Sequence, residues 1–163
     1  MEKIVYLSLG SNVGDRAANL HTAIDKLGEL GEVTAVSSFY ETEPVEFPAQ
    51  PWFLNCAVAM ATKLTPEILL TRILAVEQQM GRHRTQPKGP RLIDIDILLF
   101  GDAVIRAPQL EVPHPAMHGR RFVLEPLAEI APDALHPILK RTVRELLKEL
   151  PQDDAQVKKL SNL

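Results

Sequence analysis

Residues 92–100 constrain the fold more than any other segment, because nine consecutive positions hold only two polar side chains, Asp94 and Asp96. Such a composition and length are typical of a β-strand. Side chains two residues apart on a strand point to the same face, so the two carboxylates lie side by side. The other face is apolar and consists of Ile93, Ile95, Ile97 and Leu99. The run predicts a strand with one apolar face and one face that carries two adjacent acids.

The segments before this strand alternate between strand and helix patterns. Alternating or apolar runs predict strands at 3–9, 33–40 and 53–62, and helical spacing predicts helices at 15–30 and 65–81. Gly31 and Gly81 are the expected helix stops, and Thr65 the expected cap of the second helix. With 92–100 the order is β-α-β-β-α-β. This order predicts an α+β, ferredoxin-like βαββαβ core, an antiparallel sheet with helices packed on it.

The remaining segments predict smaller elements outside this core. We expect a C-terminal hairpin strand at 103–106 and helices near 122–130 and 142–150. The polar tail after Pro151 is expected to fray. No linker or repeat divides the chain, so we predict one domain over residues 1–163.

Bulk properties exclude several classes of protein. The single cysteine, Cys56, excludes an internal disulfide framework and a cysteine-based zinc cage. No apolar run reaches the roughly 20 residues that cross a bilayer. The formal net charge of −3 argues against a nucleic-acid binder with a dominant basic surface. We therefore expect a monomeric cytoplasmic protein with no membrane or nucleic-acid partner.

Cations flank the two aspartates on both sides in this acidic chain. They are Arg82, Arg84, Lys88 and Arg91 before the strand and His114, His118, Arg120 and Arg121 after it. Magnesium takes one or two carboxylates together with substrate phosphates, and arginines bind the remaining phosphate charge. Each arginine alone reads as a solvated loop charge, and the Asp-x-Asp spacing alone slightly favours a solvated edge strand. The set as a whole favours polyphosphate binding, without a P-loop or a protein-kinase motif.

A second group of residues suits a flat heterocycle. Phe53 and Asn55 share a face of the strand at 53–62, and Phe122 is a further aromatic residue that could stack on a ring. The amide of Asn55 offers both donors and an acceptor. The residues alone favour the plainer interpretation, in which both rings lie in the core and Asn55 pairs with backbone. For His114, a phosphate ligand and a turn histidine remain equally open.

Five ordered blocks of sequence resemble the 6-hydroxymethyl-7,8-dihydropterin pyrophosphokinase family. The blocks are LGSNVGDR (9–16), SSFYETEPV (37–45), QPWFLN (50–55), GPRLIDIDILL (89–99), and VPHP (112–115) continuing to RRFVLEPL (120–127). A lone Asp-x-Asp is a weak signal, whereas five blocks in order are specific. The resemblance spans residues 4 to 132 and implies transfer of a diphosphoryl group from ATP to the pterin hydroxymethyl group, with release of AMP.

The resemblance also implies roles for individual residues. Two magnesium ions would be bound by Asp94 and Asp96, with Asp96, Arg82 and Arg91 as the catalytic set. The nucleotide side would further include Glu77, Arg84, His114 and Arg120. Pterin recognition would use Thr42, Val45, Phe53, Asn55 and Phe122, with the two rings stacking on the pterin. The loops at 41–51 and 81–91 are expected to close over the site.

Some positions depart from the family pattern, and two rival functions stay open. The loop before Gly89 is one residue shorter than in some relatives, and Lys88, Ala116 and Leu74 replace other residue types. These changes bear on loop closure and on secondary nucleotide contacts. A non-catalytic nucleotide-binding module would use the arginines without needing both aspartates. An ordinary ATP-dependent kinase would share the same composition and spacing.

Overall fold

A computed structural model describes residues 1–43, 51–81, 91–151 and 157–160. Over these residues the strands are β1 (Lys3–Ser11), β2 (Glu32–Val36), β3 (Tyr40–Thr42), β4 (Phe53–Thr62), β5 (Asp94–Phe100), β6 (Ile105–Arg106), β7 (Glu111–Val112) and β8 (Val157–Lys159). The helices are α1 (Arg16–Leu27), α2 (Pro66–Gln79), α3 (Arg121–Ile130) and α4 (Val143–Lys148), with a 3₁₀ helix at Met117–Gly119. Across the ranges that the structure describes, no helix has the length and apolar character needed to cross a membrane.

Six strands form one antiparallel sheet. Their order is β5-β1-β4-β3-β8, and β2 pairs with β4 beside β3. If β2 and β3 are counted as one interrupted strand, the chain order is β1, α1, β2/β3, β4, α2, β5, which is the predicted βαββαβ core. The ferredoxin-like α+β fold is therefore confirmed. The predicted hairpin strand lies outside this sheet, where β6 pairs with β7.

The sheet has a hydrophobic core on each face. On one face, Leu7, Leu54 and Ile95 of the strands pack with Leu20 of α1 and Ile73 of α2. On the other face, the smaller core joins Ala57 and Leu99 of the strands to α3 and α4. Its helical members are Val123, Leu124, Leu127, Val143 and Leu146. Because side chains alternate along a strand, Asp94 and Asp96 face the side of α3 and α4.

The helix starts follow the capping residues of the sequence. The side chain of Thr65 accepts a hydrogen bond from the Ile68 backbone, with Pro66 in the first turn, as predicted. Thr142 and Glu145 form a capping box at α4. The predicted end of the first helix is wrong, because α1 ends at Leu27 and not at Gly31.

Two further predictions differ from the structure. The strand expected at 33–40 is interrupted at Ser37, whose hydroxyl accepts a hydrogen bond from the Ala57 amide at 2.8 Å in place of a backbone carbonyl. The tail expected to fray after Pro151 includes β8, which pairs with β3. An unpaired edge of β3 would leave backbone groups without partners, and β8 satisfies them.

Gly31 is needed for close packing against β4. A Cβ atom there would overlap the carbonyl oxygen of Ala61 and lie 2.9 Å from Cε of Met60. We expect Gly31→Ala to lower the free energy of unfolding by about 1–3 kcal/mol, because the backbone must shift. Urea unfolding measures this loss. Gly119→Ala is the control, since a Cβ at Gly119 meets nothing within 4 Å. Equal unfolding energies for the two variants would contradict the packing argument.

Candidate active site

One row of cross-strand neighbours runs across four strands. Asp94 of β5 pairs with Gly10 of β1, Gly10 pairs with Asn55 of β4, and Asn55 pairs with Tyr40 of β3. Directly paired residues project to the same face of a sheet, so these four positions share the face that α3 covers. Asp94 and Asn55 are two strands apart, which corresponds to about 10 Å.

The two aspartates form the acidic end of this row. Both are half-buried, whereas the alternating Ile93, Ile95 and Ile97 are buried in the core on the opposite face, as predicted. The prediction is wrong for Leu99, because an irregularity in the β1–β5 register turns Leu99 to the side of α3 and α4. In the described part of the chain, no group of three or more His, Cys, Asp or Glu residues could hold a metal ion. Two adjacent carboxylates nevertheless fit magnesium, which completes its shell with water and substrate phosphate oxygens. The residues present therefore fit the implied cation without an all-protein cage.

Arg91 lies between the acidic end and the aromatic residue Phe53. Its Nη1 atom is 3.5 Å from Oδ2 of Asp94, and its guanidinium carbon is 5.9 Å from the centre of the Phe53 ring. The Nε atom of Arg91 is buried and has no hydrogen-bond partner among the described residues. This buried donor suits an anionic ligand, because guanidinium groups bind phosphate oxygens in fixed geometry.

Asn12 fixes the backbone at Arg91. Its side-chain Oδ1 accepts a hydrogen bond from the backbone amide of Arg91 at 2.7 Å. The backbone amide of Asn12 donates to the Arg91 carbonyl at 3.0 Å. The Nδ2 atom of Asn12 also donates to the Pro51 carbonyl at 3.1 Å. Arg16 extends this connection by donating to the Trp52 carbonyl and pairing with Glu41. The turn after β1 thus holds the chain on both sides of the site, which the sequence alone did not reveal.

Glu77 lies at the outer edge of β5. It is 2% exposed, and its Oε2 accepts a hydrogen bond from the backbone amide of Ile95, between the two aspartates, at 2.8 Å. The same edge is closed by the His114 amide, which donates to the Leu98 carbonyl. Glu77 therefore pairs with the strand backbone at an edge that would otherwise lack a neighbour.

His114 and Arg120 lie near this edge and influence each other. Burial and the charge of Arg120 lower the pKa of His114, so the imidazole is neutral at neutral pH. Its Nδ1 accepts a hydrogen bond from the Ala116 amide at 3.2 Å, which assigns the proton to Nε2. Arg120 lies over the Phe122 ring with its guanidinium carbon 5.6 Å from the centre. A neutral histidine with a donor at Nε2 is compatible with a phosphate ligand.

Asn55 and Thr42 form a buried polar pair at the other end of the row. Asn55 is 4% exposed, and its Nδ2 donates to the hydroxyl oxygen of Thr42 at 2.5 Å. Asn55 thus pairs with a side chain and not with backbone as the plainer interpretation expected. Phe53 on β4 and Phe122 on α3 are both half-buried, so neither ring is sealed in a core.

Gly10 lies between the acidic and the amide ends of the row. The strand predicted at 3–9 ends before Gly10, but β1 continues to Ser11. A glycine inside a strand often marks a close approach, and this was the available signal. A Cβ atom at Gly10 would lie 2.5 Å from Oδ1 of Asn55 and 3.5 Å from Cδ1 of Phe53.

Gly10→Ala is expected to displace the Asn55 amide and impair any ligand that it binds. If Asn55 binds the pterin, as the resemblance implies, KM for a pterin substrate is expected to rise about tenfold or more, because the displaced amide would lose its hydrogen bonds to the ring. Steady-state kinetics with varied pterin measures this change. Gly119→Ala is again the matched control, and an unchanged KM in Gly10→Ala would show that Asn55 does not contact the substrate.

Three predicted site residues lie outside the described residues. They are Val45, Arg82 and Arg84. Most of the two loops expected to close over the site, 41–51 and 81–91, also falls outside them. Their assignments remain predictions.

Paired acids beside a half-buried arginine, on the helix-covered face of a ferredoxin-like sheet, are features of a phosphotransferase. That is the class of protein to which the fold and the site point. Residues 6–132 match the family described as 7,8-dihydro-6-hydroxymethylpterin-pyrophosphokinase (HPPK). The chain belongs to this family.

Individual relatives agree with this assignment. The chain is 46% identical over 145 residues to a 2-amino-4-hydroxy-6-hydroxymethyldihydropteridine pyrophosphokinase of Aquifex aeolicus, covering 89% of this chain and 91% of that protein. It is 42% identical over 151 residues to the folic acid synthesis protein fol1 of Schizosaccharomyces pombe, covering 91% of this chain but only 21% of that longer protein. A crystal structure of Plasmodium falciparum HPPK-DHPS shares the fold, with a TM-score of 0.75 at 19% identity over 91% of this chain and 44% of that one.

Proposed function

We propose that this chain transfers a pyrophosphoryl group from ATP to the hydroxymethyl group of 6-hydroxymethyl-7,8-dihydropterin, in folate biosynthesis. Family membership supports the reaction. The observation that carries it to this site is the row Asp94, Gly10, Asn55 on one face of the sheet. Carboxylates suited to magnesium and an amide suited to a heterocycle lie about 10 Å apart across a glycine.

The reaction needs two substrates to be aligned. The hydroxymethyl oxygen attacks the β-phosphorus of ATP and loses its proton. The bond from that phosphorus to the oxygen bridging the α-phosphate breaks, and AMP leaves. Catalysis of this kind depends on positioning and on neutralising phosphate charge.

Asp94, Asp96 and Arg91 carry the phosphate side of the proposal. The two carboxylates would hold magnesium, for which we propose two ions. Bound magnesium would supply positive charge that neutralises the phosphates. Arg91 binds the polyphosphate through its guanidinium group, and its buried Nε is a donor available for a ligand oxygen. Arg82 and Arg84 complete the proposed set of arginines.

The remaining residues are assigned to the nucleotide and to the pterin ring. His114, Arg120 and Glu77 bind the nucleotide in this proposal, and Glu77 also accepts a hydrogen bond from the β5 backbone. Asn55 forms hydrogen bonds with the edge of the pterin, and Thr42 orients its amide. Val45 is also assigned to pterin binding. Phe53 and Phe122 contact the two faces of the ring. The chain would act as a monomeric, single-domain protein of the cytoplasm, and its sedimentation coefficient tests the monomer.

One reaction tests the proposed function. Protein, ATP, magnesium and 6-hydroxymethyl-7,8-dihydropterin are incubated, and the nucleotides are separated by chromatography. AMP that forms only in the presence of pterin and magnesium is the expected result. ADP would identify γ-phosphate transfer and overturn the proposal, as would the absence of nucleotide turnover with ATP still bound.

A further inference from the structure

The carboxylate of Glu129, in the last turn of α3, connects that helix to Ser38 and to Tyr40, which ends the row described above. Its Oε1 accepts a hydrogen bond from the Tyr40 hydroxyl at 2.6 Å. Its Oε2 accepts from the amide of Ser38 at 2.9 Å and from the hydroxyl of Ser38 at 3.0 Å. Nζ of Lys159, on β8, is 3.8 Å from Oε1. One side chain, 27% exposed, therefore ties α3 to Ser38, in the connection between β2 and β3, and to Tyr40, the first residue of β3.

The protonation states suit this arrangement. Burial acts to raise the pKa of Glu129, but the hydrogen bonds from Tyr40 and Ser38 together hold it below its usual value. Burial and the neighbouring Glu129 carboxylate raise the pKa of Tyr40 well above its usual value. At neutral pH the tyrosine is therefore a donor and the glutamate an ionised acceptor, which is a strong pairing.

The segments that Glu129 joins carry the residues assigned to the pterin. Tyr40 is the cross-strand partner of Asn55, and Thr42, two residues further on β3, is the partner of Phe53. Phe122 lies on α3 itself, seven residues before Glu129, or about 10 Å along the helix axis. In the proposed function the Phe122 and Phe53 rings contact the two faces of the pterin, so the distance between α3 and the β3–β4 pair would set the gap between the rings.

We propose that Glu129 is a positioning residue for the pterin site, which holds α3 against β3 and so sets the gap that receives the pterin ring. The inference rests on the proposed function. Glu129 acts through Tyr40 and Ser38 and does not touch the substrate. The hydrogen bonds of Glu129 reach Ser38 and Tyr40, next to the residues assigned to the pterin, so we expect the effect to fall on the pterin side.

Glu129→Gln tests the proposal with little change of shape. A glutamine keeps one acceptor oxygen, but it presents an NH₂ group to the donors of Tyr40 and Ser38. We expect KM for 6-hydroxymethyl-7,8-dihydropterin to rise about tenfold, with KM for ATP unchanged. Tyr40→Phe removes one of the bonds and is expected to give a smaller change in the same direction. Asp133→Asn is the control for the loss of one negative charge, because Asp133 follows α3, is 81% exposed and pairs with Arg144.

The measurements distinguish positioning from stability alone. Assays run well below the melting temperature of each variant, and pterin binding is also measured by its fluorescence with α,β-methylene-ATP and magnesium present. A lower melting temperature with both KM values unchanged would overturn the proposal, as would equal increases in both. Wild-type protein that forms no pterin-dependent AMP would instead refute the proposed function, and this inference with it.

Discussion

Replacing Asp96 with asparagine is expected to lower kcat/KM by about a thousandfold while the fold persists. The substitution removes one of the two carboxylates that lie side by side on β5 and that we assign to magnesium. Loss of electrostatic stabilisation at a reacting phosphate has effects of roughly this size. Steady-state formation of AMP measures the loss. Titration with magnesium should show that the variant also needs a higher metal concentration.

Asp102→Asn is the matched control for this prediction. Asp102 follows the same strand, but it lies in an exposed turn and not on the face shared with Asp94. The Asp102→Asn substitution changes the charge by the same amount as Asp96→Asn and should leave kcat at the wild-type value. A near-normal kcat in Asp96→Asn would remove Asp96 from the metal-binding assignment.

Arg91→Ala is expected to have the second large effect, a loss of about 10²- to 10³-fold in kcat/KM. The guanidinium lies between Asp94 and the Phe53 ring and has a buried donor with no partner among the described residues. Lysine keeps the charge but lacks the planar fork, so Arg91→Lys should recover only part of the loss. Initial rates with ATP and pterin varied in turn measure both variants.

Arg106→Ala controls for the loss of one positive charge, because Arg106 is exposed on the β6–β7 hairpin. Full recovery by Arg91→Lys would indicate that charge alone matters. Equal activity of Arg91→Ala and wild type would show that the Arg91 side chain does not bind the phosphates and that only its backbone, which Asn12 binds, has a structural role.

Much of the fold follows from short-range patterns. The alternation at 53–62 predicted β4 with its full extent, and Thr65 with Pro66 predicted the start of α2. Errors occurred where a local signal had two outcomes. Gly31 resembled a helix stop because glycine is common there, but its requirement is close packing against Ala61 of β4. Ser37 lies inside an apparent strand, and only its hydrogen bond to Ala57 interrupts the pairing.

The candidate site was predictable only in part. The sequence placed Asp94 and Asp96 on one face and Phe53 with Asn55 on another strand, and the resemblance supplied their roles. The resemblance assigned Glu77 to the nucleotide, which stays a prediction, but did not indicate that its buried carboxylate accepts a hydrogen bond from the Ile95 amide at the edge of β5. Gly10, Asn12 and Glu129 received no role, because each acts through residues far away in the chain.

The difference between the features that the sequence predicts and those that only the tertiary structure determines has a physical cause. Period and capping depend on neighbours within a few residues, so the strand–helix order, the helix caps and the shared face of Asp94 and Asp96 follow from sequence. Register depends on how whole strands pack, since a shift of one residue would turn every side chain to the opposite face. Asn12 is 79 residues from Arg91, and Glu129 is 89 residues from Tyr40. Only the pairing of β5, β1 and β4 in the folded sheet brings Asp94, Gly10 and Asn55 into one row. The pairing of β8 with β3 likewise forms only in the folded protein.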